Sequence, residues 1–389
     1  MKHRRVKITG IGPITPAGIG REAFMRGIFE PVSRVGVWTP AGESKGVAVA
    51  AAMVNDFRVG AFALDAEHLV SPRPVQFALA ATVLALRDAG LTLVDVRKKK
   101  PLVVVSRPSV DRTSWSGPGG PVSPERATPH LMQEAVARLV AGQAVDASYR
   151  NGFSSLDAIG FAAMRVASGE VDLAICGGAD APLNEKILTE LKKLELSPNH
   201  ANAPEDLCRP FDLWRTTGVV GEGACMFVLE AEESPRRAHA RVAGTASEVE
   251  CSNRPWEVLG EALRLCLGNT GLRPSAIDCI NADGLGHKAL DLAEAVALSR
   301  GFGTRLPSIP VVSIKGAIGN ALGAAGAIQV GCAALGMKHS MIAPTVNWRH
   351  PDPSCPLNLS ASPRLLAMGT ALVVGRDLGG SVSCLILKQ

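Results

Sequence analysis

Aromatic side chains are scarce in this sequence: one tyrosine, ten phenylalanines and five tryptophans among 389 residues. Single-stranded nucleic acids are commonly gripped by stacking bases on such rings, so nucleic-acid binding has little material here. The nine cysteines occur singly, without a C-x-x-C pair, and this leaves no zinc or redox motif; neither metal nor cofactor is expected. No apolar run approaches the roughly 20 residues of a membrane-spanning helix. The opening Met-Lys-His-Arg-Arg lacks the apolar block of a signal peptide. A cytoplasmic protein without a membrane span is therefore expected. Charge is nearly balanced, 41 basic against 36 acidic residues, and the mild net charge of +5 favours a protein as any acidic partner. The densest basic run, Arg97-Lys98-Lys99-Lys100, reads as a solvated loop. With 47% hydrophobic and 20% charged residues, the chain has ordinary globular composition and enough material for a large core.

Periodicity supplies the architecture. Val6-Lys7-Ile8-Thr9 reads as a strand running into a Gly/Pro turn, and 75–89 recurs at helical spacing before Gly90. The alternation continues with a strand at 102–105, a helix at 128–141, strands at 145–150 and 173–176, and a helix at 155–168 between those two. After the charged stretch 230–241 it restarts: strand 240–249, helix 255–267, strand 279–282, helix 289–299 and strand 311–313. Such alternation argues for a layered α/β fold with buried sheets. The expected organisation is two similar halves, 1–235 and 236–389.

Five short segments, in order from residue 8 to residue 327, then narrow the field. They are Ile8-Thr9-Gly10-Ile11-Gly12-Pro13-Ile14-Thr15-Pro16; Gly177-Gly178-Ala179-Asp180-Ala181; Arg209-Pro210-Phe211-Asp212 with Gly221-Glu222-Gly223-Ala224; the stretch 281–294; and Ser313-Ile314-Lys315 with Gly319 and Leu322-Gly323-Ala324-Ala325-Gly326-Ala327. Together they resemble the β-ketoacyl synthases, the condensing enzymes of fatty-acid and polyketide assembly. The resemblance covers nearly the whole chain, with a shorter and poorly matching stretch from about 30 to 150. It implies a thiolase-like fold, two βαβαβαββ-type halves stacked as a five-layered α-β-α-β-α sandwich.

The same resemblance exposes what is missing. In the family a cysteine at the start of a buried helix attacks the acyl thioester, its thiolate stabilised by the helix dipole. Here the corresponding stretch is Asn151-Gly152-Phe153-Ser154-Ser155-Leu156-Asp157, so Gly152 stands at the cysteine position. Glycine offers no atom for attack, although it suits a tight strand-to-helix turn. Two histidines normally polarise the thioester carbonyl and stabilise the developing enolate oxygen. The first position holds Asp283, within Asn281-Ala282-Asp283-Gly284-Leu285, and the second holds Asn320, after Gly319. An isolated carboxylate about 4 Å from an enolate oxygen would repel it by about 4 kcal/mol at an effective dielectric near 20, roughly a thousandfold in rate. Asparagine can donate a hydrogen bond but carries no proton.

Lys315 and Glu222 match the family's buried lysine and glutamate and are expected to persist as a structural charge pair. Ser154 and Ser155 read as helix-start residues rather than substitute nucleophiles, His287 as a surface-loop residue, and Cys176 as a buried thiol. Within the family the chain looks most like the chain-length factors of type II polyketide systems, which lost the cysteine and pair with an active synthase. Their counterpart of the first histidine segment reads Ala-Asp-x-x-Gly with Asp and Glu downstream, similar to Ala282-Asp283 through Gly286 followed by Asp291 and Glu294. The stretch Val374-Gly375-Arg376-Asp377-Leu378-Gly379-Gly380 likewise resembles their version of the C-terminal loop. Chain-length factors of the aromatic type carry glutamine at the cysteine position, and Gly152 departs from that.

The resemblance implies a non-catalytic subunit that pairs with an active β-ketoacyl synthase through the strand near 145–150 and shapes its acyl tunnel. Acyl carrier protein would be engaged mainly through the partner. Phe153, Leu378 and side chains between about Arg107 and Gln133 are candidate tunnel residues. Two alternatives remain open: a divergent condensing or acyl-transfer enzyme using a non-standard nucleophile, and an inert homodimer that binds acyl chains or carrier protein.

Overall fold

The computed structural model describes residues 4–39, 48–106, 116–117, 120–121, 131–144, 154–249 and 254–389. Among the described residues its main sheet has eleven strands; Gly18–Ile19 pairs beside the first, and ten form one path: β1 (Val6–Thr15), β2 (Leu102–Val105), β3 (Gln143–Ala144), β4 (Leu173–Asp180), β5 (Gly223–Ala231), β6 (Ala240–Val249), β7 (Cys279–Asn281), β8 (Val311–Val312), β9 (Thr370–Arg376) and β10 (Ser381–Lys388). The spatial order is β8-β7-β9-β10-β6-β1-β5-β4-β2-β3. Numbered within each half, both sets of five follow the order 3-2-4-5-1. The sets join along a short ladder in which Val6, Lys7 and Ile8 face Val242, Arg241 and Ala240.

Six helices cover these strands: α1 (Arg73–Asp88), α2 (Leu131–Val140), α3 (Ser155–Ser168), α4 (Pro255–Thr270), α5 (Lys288–Phe302) and α6 (Ala325–His339). Strands such as β4 and β5 are buried from end to end because both of their faces are covered. Along β4, Leu173, Ile175 and Ala179 face a core built with α1 and α2, whereas Ala174 and Cys176 face a central core containing residues of α3 and α6. In the second half Leu372, Val374, Cys384 and Ile386 pack with α4 and α5, while Val373, Leu385 and Leu387 join the central core. Three cores between two sheets and three helical layers make the thiolase-like sandwich. At its centre α6 is buried from Ala325 to Met337, which explains why its sequence has no polar stripe.

The boundaries differ where backbones approach closely. β1 continues through the expected Gly/Pro turn because α1 lies against it: a Cβ on Gly10 would sit 2.1 Å from the Ala85 carbonyl oxygen, and one on Gly12 would sit 1.9 Å from that of Ala81. These glycines admit a helix. β4 likewise runs on through Gly177 and Gly178 to Asp180. The basic run 97–100 is not a plain loop. It ends a helix, Leu93–Lys99, that starts with a Thr92/Asp95 capping box, and its cations complement the helix C-terminus. The expected strand at 145–150 lies outside the described residues. Among the described residues no single helix is long and apolar enough to cross a membrane.

Candidate functional site

After β7 the chain turns over 282–287 and enters α5. Four successive N–H groups of this turn point to two carboxylates three residues apart on one face of α5. Glu294 accepts from Asp283 N at 2.8 Å and Gly284 N at 2.9 Å; Asp291 accepts from Leu285 N at 2.9 Å and Gly286 N at 3.2 Å. Asp291 also receives Phe211 N at 2.8 Å. Asp291 and Glu294 therefore fix the backbone of the loop. Burial pushes the Asp291 carboxyl up to about 6, and burial together with the Asp283 charge pushes Glu294 up to about 8. Gly284 sits at φ +43°, and a Cβ there would meet Phe211 and Ser313 at 2.6 Å, so the loop has no room for a side chain at that point.

Asp283 extends from this cradle to Lys315, the first residue of a short helix after β8. The two form a buried ion pair, with side chains 8% and 3% exposed. Ser313 joins the segments by donating to the Gly284 carbonyl at 2.8 Å and accepting Lys315 N at 3.3 Å. The expected Lys315–Glu222 pair does not form. Glu222 instead receives two bonds from Arg73, at 2.7 and 2.8 Å, and one from Val54 N at 2.9 Å. Arg73 lies over the Phe77 ring, 4.6 Å from its centroid. The sequence shows three buried charges but not which neighbours the fold brings together. A carboxylate at position 283 gives Lys315 a counter-charge close at hand, and each buried charge needs one.

Gly319, at φ +66°, brings Asn320 beside Val220. Asn320 donates its N–H to the Val219 carbonyl at 2.8 Å and accepts Gly221 N at 2.9 Å. Its half-buried side chain makes no hydrogen bond to the described residues. Asp180 and Ser106 pin the same segment from the first half. Asp180 accepts Gly323 N at 3.0 Å, and Ser106 donates to the Gly323 carbonyl at 2.9 Å.

Neither serine is poised as a nucleophile. Ser154 caps α3 by accepting Leu156 N at 3.1 Å, and the buried Ser155 accepts Ala327 N at 2.8 Å at the start of α6. His287 is no loose surface residue: it caps α5, its Nδ1 accepting Leu290 N at 3.2 Å, and burial lowers its pKa. Cys176 is buried and its thiol is pushed up by that burial. Leu378, expected in the tunnel, stands 46% exposed on the turn between β9 and β10, where Asp377 accepts Ser381 N at 2.9 Å. Gln133 is used structurally, accepting Val105 N at 3.1 Å. Gly152, Phe153, 107–115, 118–119 and 122–130 lie outside the described residues. The cavity beside the site, about 10 Å³ and bordered by Asp283, Asp291, Glu294 and Arg376, has the size of one water rather than of an acyl chain. Among the described residues no His/Cys/Asp/Glu group is arranged for a metal ion.

Chemically, Lys315 cancels much of the Asp283 charge, so the repulsion expected for an isolated carboxylate is largely neutralised. What position 283 lacks is a donor: its carboxylate accepts from Lys315, and Asn320, which can donate a hydrogen bond, carries no mobile proton.

The architecture and this pair of loops define a thiolase-like condensing fold, and comparison with known proteins agrees. Residues 153–234 match the family described as beta-ketoacyl synthase, N-terminal domain, and residues 240–349 match its C-terminal domain. The chain is similar to the "Putative polyketide beta-ketoacyl synthase 1" of Streptomyces virginiae, 32% identical over 100% of this chain and 99% of the relative. It is equally similar to the "Putative polyketide beta-ketoacyl synthase 2" of Streptomyces halstedii, 32% identical over 99% of this chain and 97% of the relative. Among solved structures, the ishigamide ketosynthase/chain length factor superposes with a TM-score of 0.87 at 26% identity, covering 100% of this chain and 99% of that one. The chain belongs to the β-ketoacyl synthase family, among relatives named polyketide β-ketoacyl synthases. Relatives numbered 1 and 2 match at the same identity, so the residues of the site must decide its role.

Proposed function

We propose that this chain is a non-catalytic, chain-length-factor-like subunit that pairs with an active β-ketoacyl synthase and shapes its acyl tunnel, with acyl carrier protein delivering substrate to the partner. The observation that carries the reading is the buried Asp283–Lys315 pair. Where the condensing reaction needs a donor aimed at an enolate oxygen, this loop holds an acceptor tied to the neighbouring cation. Glycine at position 152 and asparagine at position 320 point the same way.

Support for pairing comes from α3, a helix of the central layer with one face that the described residues leave partly uncovered. Phe161 and Arg165 are half-buried there, and Met164 is 41% exposed. On the same helix Asp157 Oδ2 and Arg165 Nε are buried without a hydrogen-bond partner among the described residues. Buried polar atoms are rarely left so, and an apolar face with polar gaps suits a second subunit.

Co-expression with an active β-ketoacyl synthase from the same source, followed by sizing and intact-mass analysis after exposure to malonyl- and acyl-loaded carrier protein, tests the reading. A one-to-one complex in which the partner alone gains acyl mass is expected. Acyl mass on this chain would overturn the non-catalytic assignment.

A further inference from the structure

Sulfur collects in one place in the second half. A cavity of about 20 Å³ lies between β7, α6 and a short ladder that pairs Met341 and Ile342 with Leu365 and Arg364. Cys279, Cys332, Met341 and Met368 line it from four separate segments of the chain. All four lie in or against the central core, Met341 half-buried and the other three no more than 5% exposed. The whole chain has nine cysteines and nine methionines, so two thiols and two thioethers around one small cavity are more than composition alone supplies. Gly336 keeps the wall thin: a Cβ there would sit 2.6 Å from the Met341 carbonyl oxygen and 3.6 Å from Met368 Cε.

The space suits one water or one monatomic ion. A water needs several polar partners, and the amide on the lining is already engaged: Asn281 Oδ1 accepts Gln329 Nε2 at 3.3 Å, and Asn281 Nδ2 donates to the Gln329 carbonyl at 3.4 Å. The lining side chains include no carboxylate for a hard cation. Thiolate and thioether sulfur together select soft ions such as Cu(I). Beside Cys279 stands Arg364, a half-buried cation bonded to Asn358 alone, through Oδ1 at 2.8 Å and the carbonyl at 2.9 Å, with its Nε buried and unpartnered among the described residues. Burial pushes the Cys279 thiol up to about 12 while Arg364 draws it down and Asp278 opposes; burial and then Cys279 push Cys332 up to about 12. The Asp278 carboxylate is occupied by Gly369 N at 2.8 Å and Thr370 N at 2.9 Å. A monovalent cation between two thiolates leaves one negative charge, and Arg364 is the counter-charge at hand.

We propose that Cys279, Cys332, Met341 and Met368 form a binding site for a soft monovalent cation of the Cu(I) class, with Arg364 balancing its charge. Each thiol exchanges its proton for a sulfur–metal bond, so two protons leave and no electron is transferred. Met341, the lining residue that reaches solvent, marks the entry path. No sequence motif announces the site, because its ligands are scattered from 279 to 368 and meet only when α6 packs on β7. Cys279 begins β7, whereas the 283–286 turn follows the end of that strand, so the inference stands whether or not the chain pairs with a synthase.

The test titrates the reduced full chain with Cu(I) under nitrogen, in competition with bicinchoninate, and follows the thiolate-to-copper charge-transfer absorbance. One tightly held ion per chain is expected. Cys279→Ser and Cys332→Ser should each weaken it by roughly a hundredfold, because each removes a thiolate ligand. Met368→Leu keeps the shape of the wall and Arg364→Gln keeps the donors to Asn358; each should weaken the ion by about tenfold. Met337→Leu, in the same core but off the cavity, should leave affinity unchanged. Copper uptake that survives both serine variants would overturn the proposal and assign the metal to other cysteines. Failure of the wild type to take copper from bicinchoninate would overturn it too. Should a serine variant melt early, Met368→Leu and Arg364→Gln carry the test with both thiols in place, and wild-type affinity in both would refute the site.

Discussion

Replacing Asp283 with asparagine would leave Lys315 nearly isosteric surroundings and no counter-charge. Both side chains are buried, 8% and 3% exposed, so solvent offers little compensation. Removing one partner of such a pair costs about 3–5 kcal/mol, because an uncompensated charge stays in the interior. Lys315→Met should cost a similar amount for the opposite charge. The double variant Asp283→Asn/Lys315→Met removes both charges at nearly constant volume, and its loss should be well below the sum of the single losses, with a coupling of at least about 2 kcal/mol. Urea unfolding of the four proteins measures this cycle. Hydrogen exchange at the amides of 283–286 reports whether the loop opens locally before the whole chain does. If each single variant loses less than about 1 kcal/mol, or if the two losses simply add, the pair is not the lock described here. Asp283→His should not restore condensation, because Gly152 and Asn320 remain.

Acidity supplies a second prediction. The Asp291 and Glu294 carboxyls are raised to about 6 and about 8, so the folded chain binds their protons more tightly than the unfolded chain. Their contribution to stability is present in full below the ordinary carboxylate range near 4 and is lost as pH rises through about 6 and then about 8. The unfolding free energy should therefore decline across that interval, and Glu294→Gln should flatten the upper part of the slope; an unchanged slope would remove Glu294 as its source. Arg73→Ala leaves the buried Glu222 with Val54 N as its remaining described donor and should cost about 2–4 kcal/mol in urea unfolding, more than an exposed ion pair would. A loss within about 0.5 kcal/mol would show that Glu222 needs no cation.

Much of the architecture is legible in the sequence because short apolar runs buried on both faces mark strands such as those at 102–105 and 173–176. The motifs at 177–181, 221–224 and 313–327 then occur in one order along the chain. Local pattern fails where a distant element decides the outcome. Gly10 and Gly12 read as a turn until α1 is placed against them. The run at 97–100 reads as a loop because the Thr92/Asp95 cap that starts its helix is a short, easily overlooked signal. At the site, residue types were legible and partners were not. Asp291 and Glu294, three apart at the start of α5 and downstream of Gly284 and Gly286, do carry the pattern of carboxylates that collect loop N–H groups. Nothing in sequence separation tells Lys315 to take Asp283 and leave Glu222 to Arg73.

The three-rung ladder between Val6–Ile8 and Ala240–Val242 makes the first strand a mechanical zipper between the two five-strand sets of the main sheet. Just ahead of it, Arg4 is anchored to the Val166 and Val171 carbonyls, and within it the Lys7 ammonium holds the carbonyls of Glu232, Ser234 and Arg236 at 3.1, 2.6 and 2.7 Å. Tension applied ahead of Val6 would meet those anchors first and then shear the seam between the halves before reaching either set's interior. A tether or surface attachment at that end would thus load the joint, whereas one beyond Lys388 would pull on a strand paired along its length with both β6 and β9.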